Sequence, residues 1–555
     1  MSGFVLDAYA ARSCPVKTHN RFDATLPNPD PSADESLVES FAGGLDFTGQ
    51  VRDDILTRNR GRVTDLADNP SPDAALAAMD RGDELICSAM LPMDLVGHRT
   101  GRVFLLVRAA DGGYRPVIAK RHRVLERRTG SAAQAISGLD APRYEKARHL
   151  PELGFRASRE NDLLQLCHYW RMLEACGHAS ELIGGVIGTD RVPGSPGPHA
   201  ISWVDLSERF IRTFSRTSET GWKKRSAIER YDHEHQFRVY VATTALKRHG
   251  AEDDPEPAVV PIVCRECERC VWWQTCRDQL HDENIGLWIN KAPLDVREIS
   301  ALASAGISTV TQLATVDLEA LLPTYLPKVR HREGAESRLR LAAHRAEMLA
   351  AGVELERVTQ GPIEIPSAPV EVDFDIETSD TGQTYLWGFL VTRDGVSEYK
   401  QFSMFAEQTP EADLALFDEM VRWMVSMADE HGALFFHYSD YETVHLRQYA
   451  SRSDEPAAAR LKELFATHFV DLFPIVRQHF FAVNGLGLKV VAVNGPGFSW
   501  RDDDPNGLRS QTWFNEAAYG TDEAQRVAAR DRVLDYNEDD VRATKALRAW
   551  LRDLT

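Results

Sequence analysis

Acidic residues occupy every second position of the stretch EVDFDIETSD, residues 371–380, between apolar, β-prone neighbours. Alternate side chains of a strand share a face, so Asp373, Asp375 and Glu377 are expected to converge opposite the apolar residues, which would pack into a core. Three uncompensated carboxylates repel one another, whereas a hard cation such as Mg²⁺ binds clustered oxygen ligands. The alternation therefore predicts either a solvent-facing strand edge or a divalent-metal site.

Two later motifs supply partners for this strand. The segment ALFFHYSDYETVHL is predicted to be an apolar strand followed by a turn and a helix, with Asp440 and Glu442 at the transition. The segment VLDYNEDDVRATKALRAWL predicts a helix on which Tyr536 and Asp540, four residues apart, share a face. These motifs favour the metal site over the solvent-facing edge.

Four of the eight cysteines lie in the single segment CRECERCVWWQTC, as Cys264, Cys267, Cys270 and Cys276. Four thiolates can surround one Zn²⁺ ion or one iron–sulfur cluster, since both accept four cysteine ligands. The spacing therefore predicts a metal centre rather than buried apolar cysteines, and it leaves the metal open.

The triplet Cys267, Cys270 and Cys276, with the spacing C-x2-C-x5-C, and the early Cys14 in YAARSCPVKTHNRFD resemble RecB-like nucleases that carry an iron–sulfur clasp. These nucleases belong to the PD-(D/E)xK superfamily. The resemblance implies a [4Fe-4S] cluster bound by these four cysteines. Cys264 is the alternative to Cys14, and Zn²⁺ is the alternative metal.

The two strands that carry the catalytic acids of this family match GRVFLLVR and YRPVIAK here. Phe104 and Ile118 stand at the acidic positions, and neither can coordinate a cation. Lys120 is retained, and Gln165 and Tyr169 match the family's Q-x3-Y helix motif. The resemblance implies a nuclease fold that has lost cleavage.

The segment LDVREISALASAGISTVTQLATVDLEA, residues 294–320, predicts a helix, a tight turn at Gly306 and a second helix. It resembles helix-hairpin-helix modules, which hold a phosphate backbone through main-chain N–H groups at a helix start. Such a turn also occurs in plain helical bundles.

The joint order of the C-terminal motifs is similar to that of DEDDy exonucleases of the ribonuclease-H-like superfamily. It is closer still to the YprB-type domain that follows RecB-like nucleases. The resemblance implies that Asp375, Glu377, Glu442 and Asp540 bind two Mg²⁺ or Mn²⁺ ions and that Tyr536 orients the attacking water.

Two nearby acids have other expected roles. Glu442 stands where the family usually has aspartate, so Asp440 is a rival ligand. Asp373 lies outside the D-x-E motif and is expected to support the site without binding metal.

The length of 555 residues predicts roughly three or four domains. The expected fold class is multidomain α/β, with four consecutive segments. They are a RecB-like core that is catalytically degenerate (1–285), a helix-hairpin-helix-like module (286–358), a proline-rich linker (359–370) and a ribonuclease-H-like exonuclease domain (371–555).

The net charge of -19 argues weakly against nucleic acid as a whole-chain average. Residues 120–128 and 328–345 are nevertheless locally basic.

No apolar run approaches the roughly 18 residues of a spanning helix, and the start lacks a basic region before an apolar core, so a cytoplasmic location is expected.

These features predict a two-metal nuclease with 3'-5' exonuclease activity on DNA, preferred over RNA, in a role such as DNA repair. In one alternative the N-terminal domain cleaves, with Asp94 or His98 as a displaced ligand. In another the chain is a non-catalytic nucleic-acid-binding adaptor for a helicase. The chain has no G-x-x-x-x-G-K-[ST] phosphate loop and so is not expected to be a motor itself.

Overall fold

The structure is a computed structural model that describes residues 3–29, 35–128, 133–192, 194, 197–379, 382–406, 409–502 and 507–555. For residues 35–46 and 507–509 it describes the backbone alone. Asp380, the last residue of the acidic stretch, lies outside these residues. The chain forms two compact units. The first comprises Met1–Leu287, Leu294–Thr309 and Asp317–Leu339, and the second comprises Trp288–Pro293, Val310–Val316 and Arg340–Thr555. The predicted helical segment 286–358 contributes residues to both units.

The first unit is built on a mixed sheet. Its strands are β1 (Val63–Asp65), β2 (Leu85–Met90), β3 (Arg102–Arg108), β4 (Tyr114–Ala119), β5 (Leu125–Arg127), β6 (Gln134–Gly138), β7 (Arg148–Leu150), β8 (Leu153–Phe155), β9 (Ile183–Ile187), β10 (Ala200–Asp205), β11 (Ile211–Phe214) and β12 (Trp222–Arg225). Eight of them form one sheet in the order β1-β2-β3-β4-β9-β10-β6-β7, while β5 pairs with β8 and β11 with β12. The β4–β9 pair is parallel, and β3 is antiparallel to β4. This sheet places the strand predicted to end in Lys120 at its centre.

Helices of the N-terminal half pack around this sheet. They are α1 (Pro15–Phe22), α2 (Glu35–Arg58), α3 (Pro72–Arg81), α4 (Glu160–Ala175), α5 (Ala227–Ala245), α6 (Trp273–Arg277) and α7 (Ile285–Trp288), with short 3-10 turns at Ala10–Arg12, Tyr144–Lys146, Ala157–Arg159 and Arg265–Arg269. Helix α5 starts at a capping box, in which Ser226 accepts from Glu229 N–H and the Glu229 carboxylate accepts from Ser226 N–H. Helix α4 buries most of its length in the apolar core.

Four helices follow in the predicted helical segment. They are α8 (Val296–Ala303), α9 (Val310–Ala314), α10 (Leu318–Val329) and α11 (Ala335–Ala350). Asp295 and Glu298 form a capping box at the start of α8. Gly306 lies between α8 and α9 with a φ of 79°, a left-handed conformation that favours glycine, so the tight turn lies where the sequence predicts it.

The second unit contains a five-stranded sheet in the order β16-β15-β14-β17-β18. Its strands are β13 (Leu355–Arg357), β14 (Val370–Thr378), β15 (Thr384–Arg393), β16 (Val396–Ser403), β17 (Leu434–His437), β18 (Phe469–Asp471) and β19 (Phe480–Ala482), with β13 and β19 paired separately. Strands β14, β15 and β16 are antiparallel, and β14, β17 and β18 are parallel. The acidic strand β14 is therefore central.

Seven further helices follow strand β13 among the described residues of the second unit. They are α12 (Pro410–His431), α13 (Tyr441–Ala450), α14 (Pro456–Leu464), α15 (Leu472–His479), α16 (Leu488–Asn494), α17 (Gly507–Tyr519) and α18 (Glu523–Asp553). Val372, Phe374 and Ile376 of β14 pack with apolar residues of α12, α13 and α14, as their alternation predicts. The opposite face of β14 receives α18. Among the described residues no helix combines the length and the apolar character needed to cross a lipid bilayer.

Candidate active site

Three carboxylates converge where the face of β14 opposite the apolar core meets α18. Asp375 and Glu377 come from the strand and Asp540 from the helix, and one ligand oxygen of each lies within 4.8 Å of the other two. Glu377 and Asp540 are buried, while Asp375 keeps some exposure. Clustered carboxylate oxygens are the ligands that Mg²⁺ and similar hard cations prefer.

Neutral donors fix the orientation of each carboxylate. Ser510 Oγ on α17 donates to Glu377 at 2.8 Å, and Trp500 Nε1 donates to Asp540 at 2.8 Å. Asn537 Nδ2, one turn before Asp540 on α18, donates to Asp375 at 3.0 Å. These bonds hold the acids without neutralising them, so each carboxylate remains free to bind a cation.

Asn537 reaches Asp375 across a glycine. Gly388 of β15 lies directly opposite Asp375 in the sheet register. A Cβ atom at Gly388 would lie 1.6 Å from Asn537 Oδ1, which also accepts a hydrogen bond from Tyr399 Oη at 2.8 Å. The missing side chain of Gly388 therefore creates the space through which α18 supports the metal ligand.

The variant Gly388→Ala is expected to lose at least about tenfold of any divalent-metal-dependent activity. The new methyl group must displace Asn537 and thereby release Asp375. Loss of a hydrogen-bond partner that supports a metal ligand typically costs 10-fold to 100-fold in metal affinity or activity. Gly487→Ala is the matched control, because Gly487 precedes α16 with a φ of -66° and has open space around it. Equal activity of the two variants, measured with the same preparation and metal concentration, would contradict this role.

Burial, with repulsion from neighbouring acids, raises the pKa values of the clustered carboxyl groups. Burial and then Asp540 and Glu377 raise the pKa of Asp375 well above its usual range. Burial, followed by Asp540, raises the pKa of Glu377 to about 8, and burial raises that of Asp540 to about 6. A bound divalent cation would reverse this penalty, so the donor set fits such an ion.

Tyr536 lies beside the acidic cluster and contacts Lys489. Lys489 Nζ of α16 donates to Tyr536 Oη at 2.8 Å and lies 4.7 Å from the centre of its ring. Burial and the nearby carboxylates, Asp540 first, raise the pKa of Tyr536. The phenol therefore keeps its proton and can act as a hydrogen-bond donor at this site.

Glu442 and Asp440 occupy different environments. Glu442, at the start of α13, is 5% exposed, and its charge contributes to the raised pKa of Asp375, although it lies outside the three-acid group. Its Oε2 has no hydrogen-bond partner among the described residues and lies 3.6 Å from His437 Nδ1. Asp440 is exposed. A buried carboxylate oxygen without a donor is costly, so Glu442 fits a cation better than Asp440 does.

Asp373 points into the same face of β14 but is held by a different partner. Arg548 of α18 donates to both of its oxygens, at 3.0 and 2.7 Å, and both side chains are almost fully buried. Arg548 and Arg552 also bind Glu371 at the start of the strand. Asp373 is therefore part of a strand-to-helix ion pair.

Residues 372–552 match the family model RNase_H_2 of the RNase H superfamily. The C-terminal domain is ribonuclease-H-like. Comparisons with curated proteins and with solved structures returned no match. A ribonuclease-H-like domain that carries a buried acidic cluster indicates a metal-dependent nuclease that hydrolyses phosphodiester bonds.

Four residues that support the acids of the ribonuclease-H-like domain were not predicted from the sequence. They are Lys489, Trp500, Ser510 and Asn537. Asn537 had a usable signal, since it lies next to Tyr536 and three residues before Asp540, on one helix face. The other three lie in segments without a periodic acidic pattern.

In the first unit the structure brings together the predicted lysine, glutamine and tyrosine. Lys120 Nζ donates to Gln165 Oε1 at 2.7 Å, and Gln165 Nε2 donates to Tyr169 Oη at 3.1 Å. Burial lowers the pKa of Lys120 to about 8. Phe104 and Ile118 pack in apolar clusters. Among the described residues of this unit, no three carboxylate, cysteine or histidine ligand atoms lie within 4.8 Å of one another.

One small cavity of the first unit is lined by the four cysteines of the predicted clasp, Cys14, Cys267, Cys270 and Cys276. Cys264 lies beside them, with its Sγ 3.9 Å from Cys267 Sγ. Glu266 joins the two chain segments, because its carboxylate accepts from Cys14 N–H at 2.9 Å and from Lys17 Nζ at 2.6 Å.

Proposed function

We propose that the ribonuclease-H-like domain is a 3'-5' exonuclease that hydrolyses DNA, with RNA as a second substrate class. The observation that carries the proposal is the convergence of Asp375, Glu377 and Asp540 within 4.8 Å of one another on buried elements. The polarity and the DEDDy assignment follow from the resemblance of the motifs. The first unit, in this proposal, is a RecB-like domain that binds nucleic acid without cutting it.

Asp375, Glu377 and Asp540 would hold Mg²⁺ or Mn²⁺, with Glu442 as the further ligand. Bound metal would supply an activated water and stabilise the leaving 3' oxygen. Asn537, Ser510 and Trp500 keep the carboxylates in place through the bonds described above. No side chain of this set needs to form a covalent bond to the substrate.

Tyr536 would position the attacking water. Burial and the nearby carboxylates raise the pKa of Tyr536, and the protonated phenol can donate its O–H to that water. Lys489 occupies one lone pair of the phenol oxygen and thereby fixes the direction of the O–H bond. Tyr536→Phe should therefore reduce turnover while the affinity for metal is retained.

The proposal is tested by digestion of 5'-labelled single-stranded and duplex DNA and RNA with Mn²⁺, beside an Asp375→Ala, Glu377→Ala double variant. A ladder that shortens from the 3' end and is absent in the variant is the expected result. Equal cutting by both proteins would move catalysis to the first unit. Binding without cutting by either would favour an adaptor whose partner is a helicase.

We further propose that Cys14, Cys267, Cys270 and Cys276 bind a [4Fe-4S] cluster. Tetrahedral Zn²⁺ with Zn–S bonds of about 2.3 Å requires sulfurs roughly 3.8 Å apart. Among the described residues no three of the cysteine sulfurs lie within 4.8 Å of one another, and the Cys264 and Cys267 sulfurs are 3.9 Å apart. This spread supports a larger cluster.

The cluster predicts different effects for two cysteines. Cys14→Ser should abolish the iron and acid-labile sulfide content and the visible absorbance of anaerobically purified protein, whereas Cys264→Ser should retain them, because Cys14 and not Cys264 lines the cavity. Stoichiometric zinc in the unmodified protein, or cluster loss in Cys264→Ser alone, would contradict this assignment.

A further inference from the structure

A wide groove runs along the first unit between helix α5, the β11–β12 hairpin and helices α8 and α10. Its volume is about 840 Å³. Five cationic side chains line it: Arg216, Arg238, Arg297, Lys328 and Arg330. We call this surface the basic groove. None of the acids of the ribonuclease-H-like domain belongs to it.

The positive charge of the basic groove is not balanced locally. Glu234 is the one carboxylate among its described lining residues, and it already binds Arg230 at 2.6 Å and Arg238 at 2.9 Å. Among the described residues, Arg216, Arg297 and Lys328 form no ion pair within 4.0 Å, although Asp295 and Glu234 lie near enough to Arg297 to act on its charge. In a chain with 83 acidic and 64 basic residues, such a concentration of unpaired cations favours an external polyanion.

Arg238 adds an unsatisfied donor to the groove. It is 5% exposed, and its two terminal nitrogens donate to Glu234 at 2.9 Å and to the Ser13 carbonyl at 2.7 Å. Its Nε–H is buried and has no partner among the described residues. A buried guanidinium donor without an acceptor raises the free energy of the unliganded fold.

Exposed aromatic rings accompany the cations. Phe237 lines the groove at 37% exposure and stacks near Tyr240, which is 59% exposed, with ring centres 6.5 Å apart and an angle of 24°. Phe214, also in the lining, lies 3.7 Å from the Arg297 guanidinium. Cations beside accessible rings are typical of sites for unpaired bases, because a duplex keeps its base faces stacked inside.

We propose that the basic groove binds single-stranded nucleic acid. Arg216, Arg297 and Lys328 contact its phosphates, and Phe237 stacks on an unpaired base. This site uses side chains of α5, α8, α10 and the β11–β12 hairpin and is separate from the turn at Gly306, where main-chain N–H groups would be the donors. It requires neither bound metal nor cleavage.

The test measures the anisotropy of a 5'-fluorescein oligothymidylate and of a matched duplex with full-length Asp375→Ala, Glu377→Ala protein in EDTA, so that cleavage plays no part. Adding Arg297→Glu and Lys328→Glu should weaken single-strand binding by at least about tenfold and reduce the salt slope by about 1.4, at about 0.7 per lost phosphate contact. Arg60→Glu with Lys146→Glu, two exposed basic residues outside the groove, is the matched control and should change the Kd by less than about threefold.

Two further variants separate stacking and folding from charge. Phe237→Ala should weaken single-strand binding by about tenfold with an unchanged salt slope, since stacking on one aromatic is worth about 1–3 kcal/mol per base. If the variant with both Arg297→Glu and Lys328→Glu does not fold, Lys328→Gln replaces it, because this position is exposed and the substitution removes one positive charge. Three results would overturn the proposal. One is an equal loss of affinity in the control variant, and another is tighter binding of the duplex that Phe237→Ala does not change. The third is displacement of the labelled strand by polyglutamate as readily as by unlabelled oligothymidylate.

Discussion

Asp540→Asn should lower the metal-dependent turnover by about 10³-fold and raise the melting temperature of the metal-free protein. A lost metal ligand removes several kcal/mol of transition-state stabilisation, and 1.36 kcal/mol corresponds to a factor of ten. Burial raises the pKa of Asp540 to about 6, so at neutral pH its ionised form destabilises the metal-free fold, and the amide removes that charge. The amide can still accept the hydrogen bond from Trp500.

The measurement is a thermal melt in EDTA and in a Mn²⁺ series, alongside turnover on a labelled oligonucleotide. Metal binding stabilises the folded state by mass action, so the Mn²⁺-induced shift of the unmodified protein should disappear in the variant. Asp440→Asn is the matched control, because Asp440 is exposed and should change neither quantity. A variant with normal turnover, or with an undiminished Mn²⁺ shift, would remove Asp540 from the ligand set.

Arg548→Met should destabilise the ribonuclease-H-like domain by about 3–5 kcal/mol, because it leaves the buried carboxylate of Asp373 without its partner. Asp373 is 0% exposed, and Arg548 is 2% exposed and binds both of its oxygens. The midpoint of urea unfolding, followed by the fluorescence of the domain's tryptophans, measures the loss.

The double variant Asp373→Leu, Arg548→Met distinguishes a lost ion pair from lost packing. Apolar replacement of both members of a buried pair is often neutral, so the double variant should recover most of the stability. If it is as unstable as Arg548→Met alone, then the guanidinium stabilises the domain through its contacts with Glu371 and Phe436 instead.

Much of the site in the second unit was predictable because its signals are local. Alternation in residues 371–377 predicts both the strand and its acidic face, and the four-residue spacing of Tyr536 and Asp540 predicts their shared helix face. The order of the motifs adds the expectation of a ribonuclease-H-like domain, which the match over residues 372–552 confirms at the level of the superfamily.

The remaining features depend on contacts between distant segments. The D-x-E motif sets Asp373 apart from Asp375 and Glu377, but nothing near Asp373 in the sequence shows that Arg548, 175 positions later, neutralises it. Gly388 gives no local sign that Asn537 passes over it. The basic groove likewise combines residues of four elements whose individual charges look like ordinary solvated surface.

The long helix α18 carries Tyr536, Asn537, Asp540 and Arg548, while the acids that they meet lie on β14, the first strand of the five-stranded sheet. During synthesis the strand emerges from the ribosome long before the helix. Until α18 is made, Asp373 lacks its ion-pair partner Arg548, and Asp375 lacks the hydrogen bond from Asn537. Asp540, the third acid of the cluster, has not yet been synthesised. The acidic cluster of a nascent chain is therefore incomplete until this helix has been made and has docked on β14.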